Sequence, residues 1–308
     1  MYRCCSGVDR LSTLPDALVH HILSFFDMKV IVQTSLLCKR WKNLWNSVPN
    51  LNFHLGFLPR IGKKKKLIHF MNFVDRVFIL RDSNIDMFNL ECREILDVNR
   101  ITSWIIGAVG QHAQELNAKS NTSEPLELPY NLFTSNIKAM KLRSYGNMRL
   151  PSSMSTSERI QSLYLYGVQL PNGNSNGELV LSCLVLETLV MSSCDLKDIK
   201  VLTVSAPLLE NLELSYLRTN KDGSSKFNTC NPNLKSFTFV STEYMDCCLE
   251  NLSSLVSANI DICVEGLKHH MGKEACAKFF IEVLSGITNV KSLTLQTLSV
   301  EVCLFSAF

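Results

Sequence analysis

The sequence predicts an α/β protein in two parts: a three-helix cluster at the amino end, then a solenoid of short repeats whose strands stack into a curved, mainly parallel sheet. Three observations carry this prediction. Apolar residues recur at helical spacing between Leu14 and Phe26. From residue 113 onward a phrase with apolar residues at its first, fourth and sixth positions returns at a nearly constant interval. Charged residues make up 19% of the chain and apolar residues 46%, the balance of a folded protein rather than a disordered one.

The first helix opens at Pro15, which suits the first helical position because its missing N–H has no partner to lose there. Leu14, Leu18, Ile22, Leu23 and Phe26 then form one stripe. Asp27 caps a second short helix through Val30, Ile31 and Thr34. A third fits Leu36, Leu37, Trp41, Leu44 and Trp45, with Lys39, Arg40 and Lys42 along its flank. A cluster this small removes only a modest share of its surface from water. Its two tryptophans and a phenylalanine pair therefore imply docking, on the rest of the chain or on a partner.

The repeat phrase reads Ile137-Lys138-Ala139-Met140-Lys141-Leu142, then Ile160 to Leu165, Leu186 to Met191, Leu209 to Leu214, Leu234 to Phe239 and Val290 to Leu295, with weaker copies at Ala113 to Ala118 and Leu255 to Ile260. The middle apolar residues, 116, 140, 163, 189, 212, 237 and 258, are 21 to 26 residues apart. That interval lies in the leucine-rich-repeat range, roughly 20–29 residues. The step from 258 to 293 is longer and implies an insertion. The last two apolar residues of each copy sit two apart on a strand and point inward, and each strand needs the next repeat to cover its edge. Helices are expected on the convex side, and loops as often, given stretches such as Pro171-Asn172-Gly173-Asn174-Ser175-Asn176-Gly177.

The remaining features exclude several function classes. A net charge of +3 over 308 residues gives little reason to expect nucleic acid, whose binding usually needs a concentrated basic face. No amino-terminal h-region and no spanning apolar run are present, so no membrane role is expected and the chain reads as intracellular, with reduced thiols. The two sequons at Asn121 and Asn251 then carry no weight. Twelve cysteines include the adjacent pairs Cys4-Cys5 and Cys247-Cys248 but no metal-binding spacing, so they read as small buried hydrophobes, with no metal or cofactor implied. His20-His21 and His269-His270 are adjacent pairs that point apart, and no nucleophile elbow, phosphate loop or zinc-protease motif occurs, so no catalytic residue is assigned. Lys63-Lys64-Lys65-Lys66 reads as a solvated loop, with nuclear import as the alternative; localisation is expected in the nucleus, the cytoplasm or both.

Asp9-Arg10-Leu11-Ser12-Thr13-Leu14-Pro15-Asp16, His21-Ile22-Leu23-Ser24-Phe25 and Lys39-Arg40-Trp41-Lys42-Asn43-Leu44-Trp45 resemble, in that order, the F-box of plant F-box/leucine-rich-repeat proteins. Val30 and Gln33 depart from it where an acidic residue and an arginine are usual, and Cys38 stands where serine is common. Ser205-Ala206-Pro207-Leu208-Leu209-Glu210-Asn211-Leu212-Glu213-Leu214 and Leu128-Pro129-Tyr130-Asn131-Leu132-Phe133 are similar to repeat phrases of the same family. Phe73 to Val77 and Ile101 to Ile105 fit its joining segment. The implied organisation is a tail at 1–8, an F-box at 9–55, a lead-in at 56–112 and repeats at 113–308, without an evident FBD domain of the kind many relatives carry.

The resemblance implies a non-catalytic substrate receptor of an SCF-type cullin ubiquitin ligase, with the F-box on a Skp1-type adaptor and the repeats on a protein substrate. Adaptor contacts are expected at Leu14, Pro15, Leu18, Ile22, Leu23, Trp41 and Trp45. The residues flanking each inward pair face the concave side, which nominates Lys141, Arg143, Tyr164, Tyr166, Glu213, Thr238 and Thr294 for substrate, with Val190, Ser192, Ser215, Val240 and Gln296 beside them. The alternative is an interaction scaffold that no longer recruits a ligase.

Overall fold

The computed structural model describes residues 13–36, 41, 44–56, 62–81, 83–144, 148–220, 225–262, 273–287 and 290–295, with the backbone alone at 273–278. Helix α1 (Asp16–Leu23) starts after Pro15, and Asp27 caps α2 (Met28–Thr34) by accepting the Val30 N–H at 2.9 Å. The third helix is not an α-helix where it is described, because Leu44–Ser47 forms a single 3₁₀ turn; Leu37, Lys39, Arg40 and Lys42 lie outside the described residues. Val19, Leu23, Met28, Ile31 and Trp41 are buried in one apolar core continuous with that of the repeats.

Ten parallel strands make the main sheet, in the order β1 (Asn50–Leu55), β2 (Met87–Leu96), β3 (Glu115–Thr122), β5 (Ala139–Ser144), β7 (Ser162–Tyr166), β9 (Thr188–Ser192), β11 (Asn211–Ser215), β13 (Ser236–Ser241), β15 (Ser257–Ile262) and β16 (Ser292–Leu295). The intervening labels belong to the other side: β4 (Leu126–Glu127) pairs with β6 (Met148–Arg149), and β8 (Glu178–Ser182), β10 (Val201–Ser205), β12 (Lys226–Cys230) and β14 (Asp246–Glu250) form a second parallel sheet. The side expected to hold helices or loops thus carries, in its middle repeats, a strand per repeat. Asn/Gly/Ser stretches serve as the turns into those strands: the Asn174 side chain accepts the Glu178 N–H, and Gly177 turns with φ +80°.

The inward pair of the phrase is buried in strand after strand. Leu116, Met140, Leu163, Leu189, Leu212, Phe237 and Ala258 form one row, and Ala118, Leu142, Leu165, Met191, Leu214, Phe239 and Ile260 the next. The β16 copy is the exception, with Leu293 45% exposed and Leu295 half-buried. The sheet also begins earlier than residue 113. Val48, Leu51 and Phe53, and again Ile85, Phe88 and Leu90, satisfy the phrase and are buried, but their middle residues stand 37 and 28 residues from the next copy. Helices α3 (Lys63–Leu80) and α4 (Val98–Gly110) fill those longer steps and break the period.

The four lysines expected in a loop form the first turn of α3, all exposed. Cations there oppose the helix dipole, which Lys63 offsets by pairing with Glu94 of β2. The two helices meet through Trp104, whose Nε1 donates to Asp75 Oδ1 at 2.7 Å, while Arg100 reaches the other carboxylate oxygen at 3.0 Å. A side chain at Gly107 would stand 3.0 Å from the Phe78 ring, so glycine permits this approach of α3 and α4. In the longer step from 258 to 293, α5 (Lys273–Ser285) occupies the expected insertion. Of the six cysteines whose side chains are described, Cys92, Cys183, Cys194 and Cys247 are buried and Cys230 and Cys248 exposed, all unpaired. Burial pushes the Cys194 thiol up to about 12.

Candidate interaction surfaces

The helical end presents apolar side chains to solvent. Leu18 and Ile22 lie on the open side of α1, 51% and 40% exposed. Because α1 ends at Leu23, with the Ser24 hydroxyl donating to the His21 carbonyl, Phe25 and Phe26 fall in the turn rather than continuing the stripe. They are 74% and 43% exposed, and Leu36 after α2 is 86% exposed. Leu18, Ile22, Phe25, Phe26 and Leu36 make a belt along the chain, five exposed large apolar residues between positions 18 and 36, denser than the singly scattered ones common on a monomer.

The seven residues nominated for the adaptor therefore divide. Pro15, Leu18 and Ile22 are exposed. Leu14 and Trp45 are half-buried against the core. Leu23 and Trp41 are buried and hold the cluster together, so their side chains do not form its outer surface. Spacing alone placed Leu23 with the docking stripe, because at 100° per residue it neighbours Ile22. Leu36, placed in the third helix, and Phe25, beyond its place in the phenylalanine pair, are absent from the adaptor set because nothing in the stripe shows where a short helix stops.

The second surface is the face of the ten-stranded sheet turned away from the core. Strand register aligns its side chains in rows. One row runs Asn52, Asn89, Asn117, Lys141, Tyr164, Val190, Glu213, Thr238, Asn259 and Thr294. The adjacent row runs His54, Glu91, Lys119, Arg143, Tyr166, Ser192, Ser215, Val240 and Asp261. All the nominated substrate residues lie on these rows. Lys141 and Thr294 are exposed, and Arg143, Tyr164, Tyr166, Glu213 and Thr238 half-buried; Gln296 lies outside the described residues. Two neighbours are less available than spacing implied: Val190, between Tyr164 and Glu213, is 8% exposed, and Ser215 is buried while its hydroxyl donates to Glu213 at 2.9 Å.

Charge on this face is segregated. At one end Lys119 Nζ donates to Glu91 Oε1 at 2.6 Å, and His54 Nδ1 stands 3.3 Å from the other oxygen. The hydrogen bond from Lys119 holds the Glu91 carboxyl below the usual range. On β5 and β7, Lys141 lies over the Tyr164 and Tyr166 rings at 5.8 and 5.9 Å, and the Arg143 guanidinium over Tyr166 at 4.4 Å. Such cation–π contacts contribute about 0.5–1 kcal/mol at exposed sites. Burial, with the nearby Glu213 charge, raises the Tyr166 phenol. These surfaces can bind; among the described residues no group of His, Cys, Asp or Glu could hold a metal ion.

Comparison with known proteins supports the division into two parts. Residues 11–53 match the F-box domain model, and residues 78–304 match the model described as At1g61320/AtMIF1, LRR domain. The chain is 33% identical over 318 residues to the F-box protein At3g03040 of Arabidopsis thaliana, covering 95% of this chain and 67% of the relative. It is 30% identical over 293 residues to the F-box/FBD/LRR-repeat protein At5g56420 of the same plant, covering 93% and 65%. The F-box/LRR-repeat protein At3g59190, also from Arabidopsis, is 27% identical over 317 residues, covering 96% and 81%. The chain spans about two thirds of the length of the first two. With an F-box matched at one end, a repeat domain matched over most of the remainder and this identity to its relatives, the chain belongs to the plant F-box/LRR-repeat family.

Proposed function

We propose that this protein is the substrate receptor of an SCF-type ubiquitin ligase: the α1–α2 surface docks on a Skp1-type adaptor, which links it to a cullin, and the exposed sheet face holds a protein substrate. The observation that carries the reading is the belt of Leu18, Ile22, Phe25, Phe26 and Leu36, open on a chain whose other large apolar residues are mostly buried. Covering a Leu, Ile or Phe is worth about 1.5–3 kcal/mol, so five of them suffice to anchor a partner. The mechanism is proximity. Holding substrate and transferring enzyme on one assembly raises their effective concentration, and it asks for no catalytic group on this chain.

Co-expression with a Skp1-type adaptor, followed by affinity purification, tests the docking half. The full chain is expected to bring the adaptor down, while Leu18→Asp and Ile22→Asp, each placing a charge in the belt, abolish the association. Robust adaptor binding by both variants overturns the surface. A wild-type chain that folds and ignores the adaptor favours the scaffold reading, for which Val30 and Gln33 on α2 are the supporting residues.

A further inference from the structure

Two strand lysines pair across to a neighbouring strand, Lys119 with Glu91 and Lys226 with Asp246, and Lys235, just before β13, pairs with Glu210 one repeat away. Strand β5 differs. The register partners of Lys141 and Arg143 are Asn117 and Lys119 on one side and Tyr164 and Tyr166 on the other. Among the described residues neither cation forms an ion pair. They stand two residues apart on one strand, roughly 6.6 Å along it, and Lys119 beside Arg143 is already neutralised by Glu91.

Stacking on Tyr166 at 4.4 Å orients Arg143, and Lys141 stands beside both rings; neither contact neutralises the cation. The guanidinium fork suits a planar carboxylate, and its stacking leaves Arg143 less freedom to lose on binding. Beyond the rings the face turns apolar at Val190 and then acidic at Glu213, three strands from β5. Three strand spacings are about 14 Å, close to four residues of extended chain.

We propose that the β5–β7–β11 face is a receptor for an acidic segment of a protein partner: an Asp or Glu carboxylate seats on Lys141 and Arg143, its apolar neighbour lies on Tyr164 and Tyr166, and a basic residue about four positions along reaches Glu213. The inference rests on the receptor reading for the assignment of this face to substrate. It adds the chemistry by which a substrate is chosen.

The test uses the purified full chain immobilised against ten-residue peptide libraries, random except for a central Glu, Gln, Lys or phosphoserine. The Glu library is expected to be retained about tenfold over the Gln library, with apolar residues enriched beside the Glu and Lys or Arg enriched four positions away. Arg143→Gln and Tyr166→Ala remove that preference, Tyr166→Phe retains it, and Glu213→Gln removes only the distal basic enrichment. Equal retention of the Glu and Gln libraries overturns the proposal, as does an undiminished preference in Arg143→Gln. A tenfold advantage of phosphoserine over Glu overturns the carboxylate assignment. Adaptor co-purification on the same samples separates the two readings: an intact adaptor complex without Glu preference sinks this inference alone, and Glu preference without adaptor binding sinks the ligase reading alone.

Discussion

The α1–α2 end and the ten-stranded sheet use the same apolar residue types to opposite ends. In the sheet, Leu, Met and Phe point inward in two unbroken rows through the middle repeats, and each strand is covered by its neighbours. At the helical end, two helices of eight and seven residues bury Val19, Leu23, Met28 and Ile31 in the common core and leave Leu18, Ile22, Phe25, Phe26 and Leu36 open. A repeat array supplies each strand with the next copy of itself as its cover. A short helical cluster has no such copy, so its second face is left open.

The sharpest way to break this contrast is to delete a phenylalanine from each part. Phe88→Ala empties the site where Phe53, Phe78 and Phe88 meet, with ring centroids 5.6 to 6.5 Å apart. It should cost about 3–5 kcal/mol in urea denaturation. Asn231→Ala tests how the repeats of the second sheet are tied together at the ends of β10 and β12: the buried amide accepts the Ala206 N–H at 2.9 Å and donates to the Val204 carbonyl and the Thr229 hydroxyl. Leaving those groups unpaired should cost about 1–3 kcal/mol in the same assay.

Phe25→Ala, on the open belt, should change stability by less than about 0.5 kcal/mol. Its effect belongs in calorimetry with the Skp1-type adaptor, where affinity should fall by about 1–2 kcal/mol. If Phe25→Ala destabilises the chain as much as Phe88→Ala, the distinction between the two regions is lost. The smallest expected effect sits on the polar sheet face. The folded pKa of Glu91 is depressed, first by the Lys119 hydrogen bond. Its stabilisation is therefore fully present above the unfolded value, about 4.3, and is lost as pH falls through the lower folded value. Chemical denaturation across that window should show a shallower acid-side decline in Glu91→Gln than in the wild type; identical slopes would remove the pair from the account.

Legibility in the sequence followed the same divide. Five of the six strong copies of the phrase placed the inward rows correctly because a period of two on a buried strand leaves one choice of face. The copies at Val48 to Phe53 and Ile85 to Leu90 went unseen, since α3 and α4 lengthen the repeats that hold them and spoil the interval. Strands β8, β10, β12 and β14 were also hidden. Five alternating residues such as Glu178 to Ser182 are too short to distinguish from loop until lateral pairing supplies their hydrogen bonds.

By itself the sequence determined the repeat, its inward rows and the polar identity of the outward face, because these are local consequences of spacing. Only the tertiary structure decided that Leu23 and Trp41 are buried while Phe25 and Leu36 are open, and that Lys141 and Arg143 meet tyrosines instead of carboxylates. Burial at the end of a short helix and pairing across strands depend on which distant segments arrive as neighbours, and the order of residues along one strand does not contain that information.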